Sequence, residues 1–158
     1  METNDIKTIL FKQCEQFVNE RLGRIQDRIQ GIQQSLNSET KSTAGDKHET
    51  GRAMLQLERE KVGQQLAEVQ KLVAILCKIE VLPEHTTFQD QGRIRLGSLV
   101  FTDQANYFIS ISAGVLKHKE DSFYAIATNT PIGILLIGKE KGETIVFKGK
   151  KITIMRVL

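Results

Sequence analysis

Apolar residues fall into two series with one spacing. Val18, Leu22, Ile25, Ile29, Ile32 and Leu36 stand 4, 3, 4, 3 and 4 residues apart. Leu55, Arg59, Val62, Leu66, Val69 and Val73 repeat that spacing. This is the heptad seam of a coiled coil. No proline occurs before Pro83, so nothing in the covalent chain interrupts a long helix there. The two series mirror each other, since 18 with 73, 25 with 66 and 36 with 55 each add to 91. The mirror predicts two antiparallel helices that reverse between Gly45 and Asp46. A slip of one heptad gives the same mirror, with the centre moved by about 3.5 residues. Residues 37–51 are polar and rich in turn formers, which favours the central choice. In that register Arg59 takes a core position opposite Ile32, its stem packed and its head in water. Cys14 and Cys77 add to the same 91 and are expected to lie close together as small apolar fillers. Arms of about 30 residues would be about 45 Å long, too long to bury in a small domain. Such a hairpin is expected to project as a probe or spacer.

After Pro83 the period changes. Ile94–Thr102, Tyr107–Ser112, Phe123–Thr128, Thr144–Phe147 and Lys151–Val157 are short runs rich in Ile, Val, Phe and Thr, and read as strands. Lys148-Gly149-Lys150 reads as a tight hairpin turn. The run from Pro131 to Gly138 fits either a buried strand or a short helix with proline in its first turn. The expected fold class is therefore α+β in two domains. Residues 1–80 form an antiparallel coiled-coil hairpin with its tip near 45–46, residues 81–91 a linker, and residues 92–158 an antiparallel sheet domain in which the Pro131–Gly138 run is either a strand or a short helix.

Composition narrows the function little. Of 158 residues, 22 are Lys or Arg and 19 are Asp or Glu, a net charge of +3. That excess is too small to argue for nucleic-acid binding by itself. Residues 1–80 balance 12 bases against 12 acids, so the excess lies in the second half, with 10 against 7. No apolar run is long enough for a membrane span. The start, Met1 to Asp5, is acidic and lacks the apolar stretch of a signal peptide. Two cysteines without CxxC spacing fit a reducing cytoplasm, and the three histidines are scattered. No Ser-His-Asp, Cys-His or phosphate-loop pattern occurs, so an independent enzyme is not expected.

Two segments carry a resemblance. Thr128-Asn-Thr-Pro-Ile-Gly-Ile-Leu-Leu-Ile-Gly-Lys-Glu-Lys-Gly-Glu-Thr-Ile145 is similar to the C-terminal signature of the Gre transcript-cleavage factors. There a Pro-Ile step opens a short apolar helix ending in Gly-Lys, followed by an acidic turn and two final strands. Gly45-Asp46-Lys47-His48-Glu49 resembles the Gly-Asp-x-x-Glu of that family's hairpin tip. Thr50-Gly51-Arg52-Ala53 departs from the Asn-Ala continuation usual there.

The resemblance implies that residues 131–137 are helical and that the C-terminal domain is FKBP-like, without isomerase activity. It implies a bacterial elongation factor whose hairpin enters the secondary channel of RNA polymerase. Asp46 and Glu49 would help hold a catalytic Mg²⁺ shared with polymerase, which then cleaves backtracked RNA. The factor would be an accessory to the polymerase nuclease, monomeric and cytoplasmic. Its partners would be RNA polymerase, the nascent RNA 3′ end and the DNA–RNA transcription complex, with no membrane. Exposed apolar residues of the sheet domain would dock on the polymerase rim.

Spacing alone gives Asp46 and Glu49 a second reading, as an N-cap and N3 capping box. Arg21, Arg24 and Arg28 form a stripe beside the apolar seam, and Lys41, Lys47 and Arg52 cluster near the tip. These are candidates to contact RNA or polymerase. The alternative is a solvated face with helical partners such as Glu20 and Asp27. No aromatic residues interleave with them, which argues against base stacking. Two other functions remain in view: a channel-binding regulator of the same shape without cleavage, and a coiled-coil adaptor unrelated to polymerase.

Overall fold

A computed structural model describes residues 2–40, 45–81 and 92–158, with the side chains of 2–5, 39–40 and 45–48 outside the description. The expected linker, apart from Val81, and Lys41 lie outside the described residues. Two helices, α1 (Glu2–Thr40) and α2 (Gly45–Cys77), precede β1 (Leu99–Thr102), β2 (Asn106–Ser110), β3 (Gly114–His118) and β4 (Asp121–Ala127). Helix α3 (Pro131–Leu136), β5 (Thr144–Phe147) and β6 (Lys150–Val157) complete the described order.

Contacts divide the chain differently from the expected break near residue 80. Val18–Val73 forms one unit, while Met1–Phe17 joins Ala74–Leu158 in the other. The reason is what the helix ends touch. Leu10, Cys14, Leu76 and Ile79 are buried, and Cys14 Sγ lies 3.6 Å from Ser110 Oγ of β2.

Within the helical unit, Val18, Ile25, Ile32 and Leu36 of α1 are buried with Val62 and Val69 of α2. Removing such a valine or leucine side chain from water contributes about 1.5–3 kcal/mol. The α1 seam is the one its spacing predicts. The α2 seam is so only in part. Arg59 is exposed and Val73 is partly so, which takes both off the contact line. The expected sum across the hairpin is 91. The Arg28–Glu58 ion pair, at 3.1 Å, adds to 86. Helix α2 already includes Gly45 and Asp46, so the expected tip residues are helical backbone. Cys14 is buried and Cys77 exposed, so they do not fill one core together.

The sheet has the order β3-β4-β2-β1-β6-β5. It is mixed rather than wholly antiparallel, because β2 and β4 run parallel from Asn106↔Phe123 to Ser110↔Ala127. Its register splits the side chains by face. Val100, Tyr107, Ile109, Ile145, Ile152 and Ile154 pack with Ile132 and Leu136 of α3. Phe108 and Ser110 fall on the opposite face, where Cys14 meets Ser110. The first expected strand shortens because Gly97, at φ 91°, closes a turn in which the Ser98 N–H donates to the Arg95 carbonyl at 3.0 Å. The hairpin turn at Lys148-Gly149 is as expected, with φ of 49° and 77°, the positive pair of a type I′ turn. Strand β3 was not expected from sequence, since Gly114, Lys117 and His118 dilute its two apolar residues.

Candidate functional site

Thr40 closes α1 and Gly45 opens α2, so the two carboxylates sit at the start of the second helix. Asp46 is in its first turn and Glu49 follows three residues later, which places both on one helical face. Helix α2 begins at Gly45, one residue before Asp46. Acidic residues here are favoured by the partial positive charge of the helix N-terminus. Glu49 and Arg52 are exposed, while the side chains of Asp46 and Lys47 lie outside the described residues. Two carboxylates from one face offer hard oxygen donors of the kind Mg²⁺ takes, and leave its remaining positions for water, phosphate or another protein. Among the described residues no three His, Cys, Asp or Glu side chains gather into a metal-binding group.

The arginine stripe lies along the groove between the helices. Arg21, Arg24 and Arg28 line a cavity of about 370 Å³ with Ile25, Gln65 and Glu68. Arg28 pairs across the hairpin with Glu58, instead of along its own helix. Both side chains are about half exposed (50% and 45%), so the pair contributes 1 kcal/mol at most. Glu68 also pairs with Lys71 at 3.0 Å. The stripe is thus interleaved with acids rather than forming a uniform basic track.

A second candidate surface is α3. Thr130 is its N-cap, accepting a hydrogen bond from the Gly133 N–H at 3.1 Å while its hydroxyl donates to the Ala127 carbonyl at 2.7 Å. Pro131 opens the helix with its φ already suitable. Gly133 is fixed by space: a Cβ there would overlap the Ala127 carbonyl oxygen and stand 2.7 Å from Thr130 Oγ1. With Ile132 and Leu136 turned into the core, Ile134, Leu135 and Ile137 are left facing water, Ile134 at 64% exposure. Val146 of β5 is also exposed. The sequence reading named no docking residues. The signal was the i,i+4 pair Ile132 and Leu136, which once assigned to the core leaves the other three outside.

Among the described residues three titratable groups are shifted. Burial pushes the Cys14 thiol up, against a smaller opposing effect of the Ser110 hydrogen bond. Burial, then the nearby Arg95 charge, holds the Lys7 ammonium below its usual range. Burial and then Tyr124 push Tyr107 up. Among the described residues no helix is long and apolar enough to cross a membrane.

No family model and no curated protein matches the chain. Solved structures give a weak likeness. Gfh1 of Thermus aquaticus is 16% identical, with 92% of this chain and 94% of that chain covered at a TM-score of 0.35. GreA factor homolog 1 (Gfh1) of Thermus thermophilus is 18% identical, with 89% and 92% covered at a TM-score of 0.34. At these identities and scores the likeness carries no argument about residues, partners or activity.

Proposed function

We propose that this chain is a Gre-type accessory factor of bacterial RNA polymerase, acting in the cytoplasm. Its hairpin enters the secondary channel, and its tip carboxylates help polymerase cleave backtracked RNA. The observation that carries this reading is the placement of Asp46 and Glu49 three residues apart at the very start of α2. The helical state of Pro131–Leu136 adds support, because the signature around Thr130-Pro131-Ile132-Gly133 implies a helix there.

In this reading the chemistry belongs to polymerase. A pair of divalent metal ions stabilises the attacking and leaving oxygens of an in-line displacement. Asp46 and Glu49 supply oxygen ligands to the second Mg²⁺, which the free protein does not hold alone. Arg21, Arg24, Arg28, Lys41, Lys47 and Arg52 contact the RNA 3′ end or acidic polymerase surface. Ile134, Leu135 and Ile137 give the sheet domain an apolar face for docking on polymerase.

One feature favours a second reading, a channel-bound regulator that promotes no cleavage. Lys47 and Arg52 set positive charge beside the carboxylates, where it competes with a metal cation.

The deciding experiment adds the purified protein to polymerase stalled in a backtracked state. Shortening of the RNA by wild type, lost in Asp46→Asn and Glu49→Gln with binding kept, supports the first reading. Binding without shortening supports the second. Failure to bind polymerase removes both.

A further inference from the structure

Among the described residues strand β3 is an outer strand of the sheet, paired on one side only, with β4. Its last pair is His118↔Asp121, across a two-residue turn. Alternation in an antiparallel pair then points the backbone groups of His118, Leu116 and Gly114 at β4. Those of Lys117 and Val115 point outward, where a further strand would add. Val115 is 52% exposed. Lys117 is closed off: the Gln13 side-chain amide on α1 donates from Nε2 to its carbonyl at 2.7 Å. Gln13 Oε1 in turn accepts from the Lys117 N–H at 3.1 Å. One primary amide thus makes both bonds that a neighbouring strand's peptide would make.

We infer that Gln13 is an edge guard, which keeps β3 from pairing with β3 of a second copy of this chain. One two-fold arrangement shows what the guard prevents. A two-fold axis at Leu116 would set Val115 of one copy against Lys117 of the other, and the reverse. Both pairs are of the closely bonded kind, and each includes Lys117. With Gln13 seated on Lys117 in both copies, every bonded pair of that arrangement is blocked. Such a two-fold contact is self-complementary and closes as a dimer. This role is independent of the polymerase reading.

The test compares wild type, Gln13→Ala and Gln13→Glu by light-scattering mass over a range of concentrations, with amide exchange at Lys117. Gln13→Glu keeps the acceptor for the Lys117 N–H but loses the donor to its carbonyl. Its result decides the matter if the alanine variant fails to melt cooperatively. At low concentration the Lys117 amide is expected to exchange about tenfold faster in Gln13→Ala, the loss of one hydrogen bond. As concentration rises, its mass is expected to double. Adding Val115→Pro, which removes an outward donor and leaves the β4 pairing intact, should restore the wild-type mass. A variant mass equal to wild type throughout overturns the inference, even if Lys117 exchanges faster. A doubled mass that survives Val115→Pro overturns it as well.

Discussion

The Arg28 guanidinium of α1 meets the Glu58 carboxylate of α2 at 3.1 Å across the hairpin. That pairing, with Val18, Ile25, Val62 and Val69 buried, sets which residues of α2 face α1. It turns Val62 and Val69 inward and Arg59 out. Val62→Ala and Val69→Ala should each cost about 2 kcal/mol in urea unfolding, through lost burial and the cavity left behind. Arg59→Ala should change stability by less than about 0.5 kcal/mol, as an exposed site does. An Arg59→Ala loss equal to that of Val62→Ala would restore the register in which Arg59 faces Ile32.

The turn into α3 tolerates no side chain at Gly133. Gly133→Ala must displace both the Ala127 carbonyl and the Thr130 hydroxyl, which bond to each other within the turn. It should destabilise the protein by about 1–3 kcal/mol, the usual range for overpacking. Thr130→Ala removes only the cap and should cost about 1 kcal/mol. Chemical denaturation of the two variants checks both the sizes and their order.

The two thiols should differ in reactivity. Cys77 is exposed, while Cys14 is buried with its thiol pushed up by burial. A thiol reagent near neutral pH should modify Cys77 rapidly and Cys14 only on unfolding, because the thiolate is the reactive form. Counting modified sites by mass before and after denaturant measures this directly.

Lys7 gives the fold a pH dependence of defined sign. Its ammonium is held below the ordinary 10.5 by burial and then by Arg95. Between the lowered folded value and 10.5 the unfolded chain binds more protons than the folded one, so this group makes stability rise with pH. Lys7→Met should raise Tm at neutral pH. That advantage should shrink as pH climbs toward 10.5, which paired melting curves across the range would show.

What could be read from sequence depended on how local its cause was. The α1 seam was legible because every heptad position from Val18 to Leu36 holds an apolar residue. The α2 seam was legible at Leu55, Val62, Leu66 and Val69 but not at Arg59 and Val73, which continue the 4-3 rhythm while standing off the contact line. Periodicity names a stripe on a cylinder but leaves its rotation open by a residue. The hairpin turn at Lys148-Gly149 was legible because its chemistry lies in adjacent residues. The parallel pairing of β2 with β4 was not, since β3 intervenes in the chain and nothing local marks which strand lies between which. At the tip, Asp46 and Glu49 stood out by type and spacing, but where α2 begins decides whether Asp46 caps the helix or stands within it. The amide clamp of Gln13 on Lys117 spans 104 residues and left no mark in the sequence.

The most direct test of the account is the Mg²⁺ dependence of RNA shortening in backtracked polymerase complexes, measured with no factor, with wild type and with Asp46→Asn. If the tip carboxylates help hold the second metal ion, wild type should reach half-maximal rate at a lower Mg²⁺ concentration than polymerase alone. Asp46→Asn should return the curve to that of polymerase alone while still binding. A wild-type curve that coincides with polymerase alone, or an Asp46→Asn curve that coincides with wild type, would contradict the account.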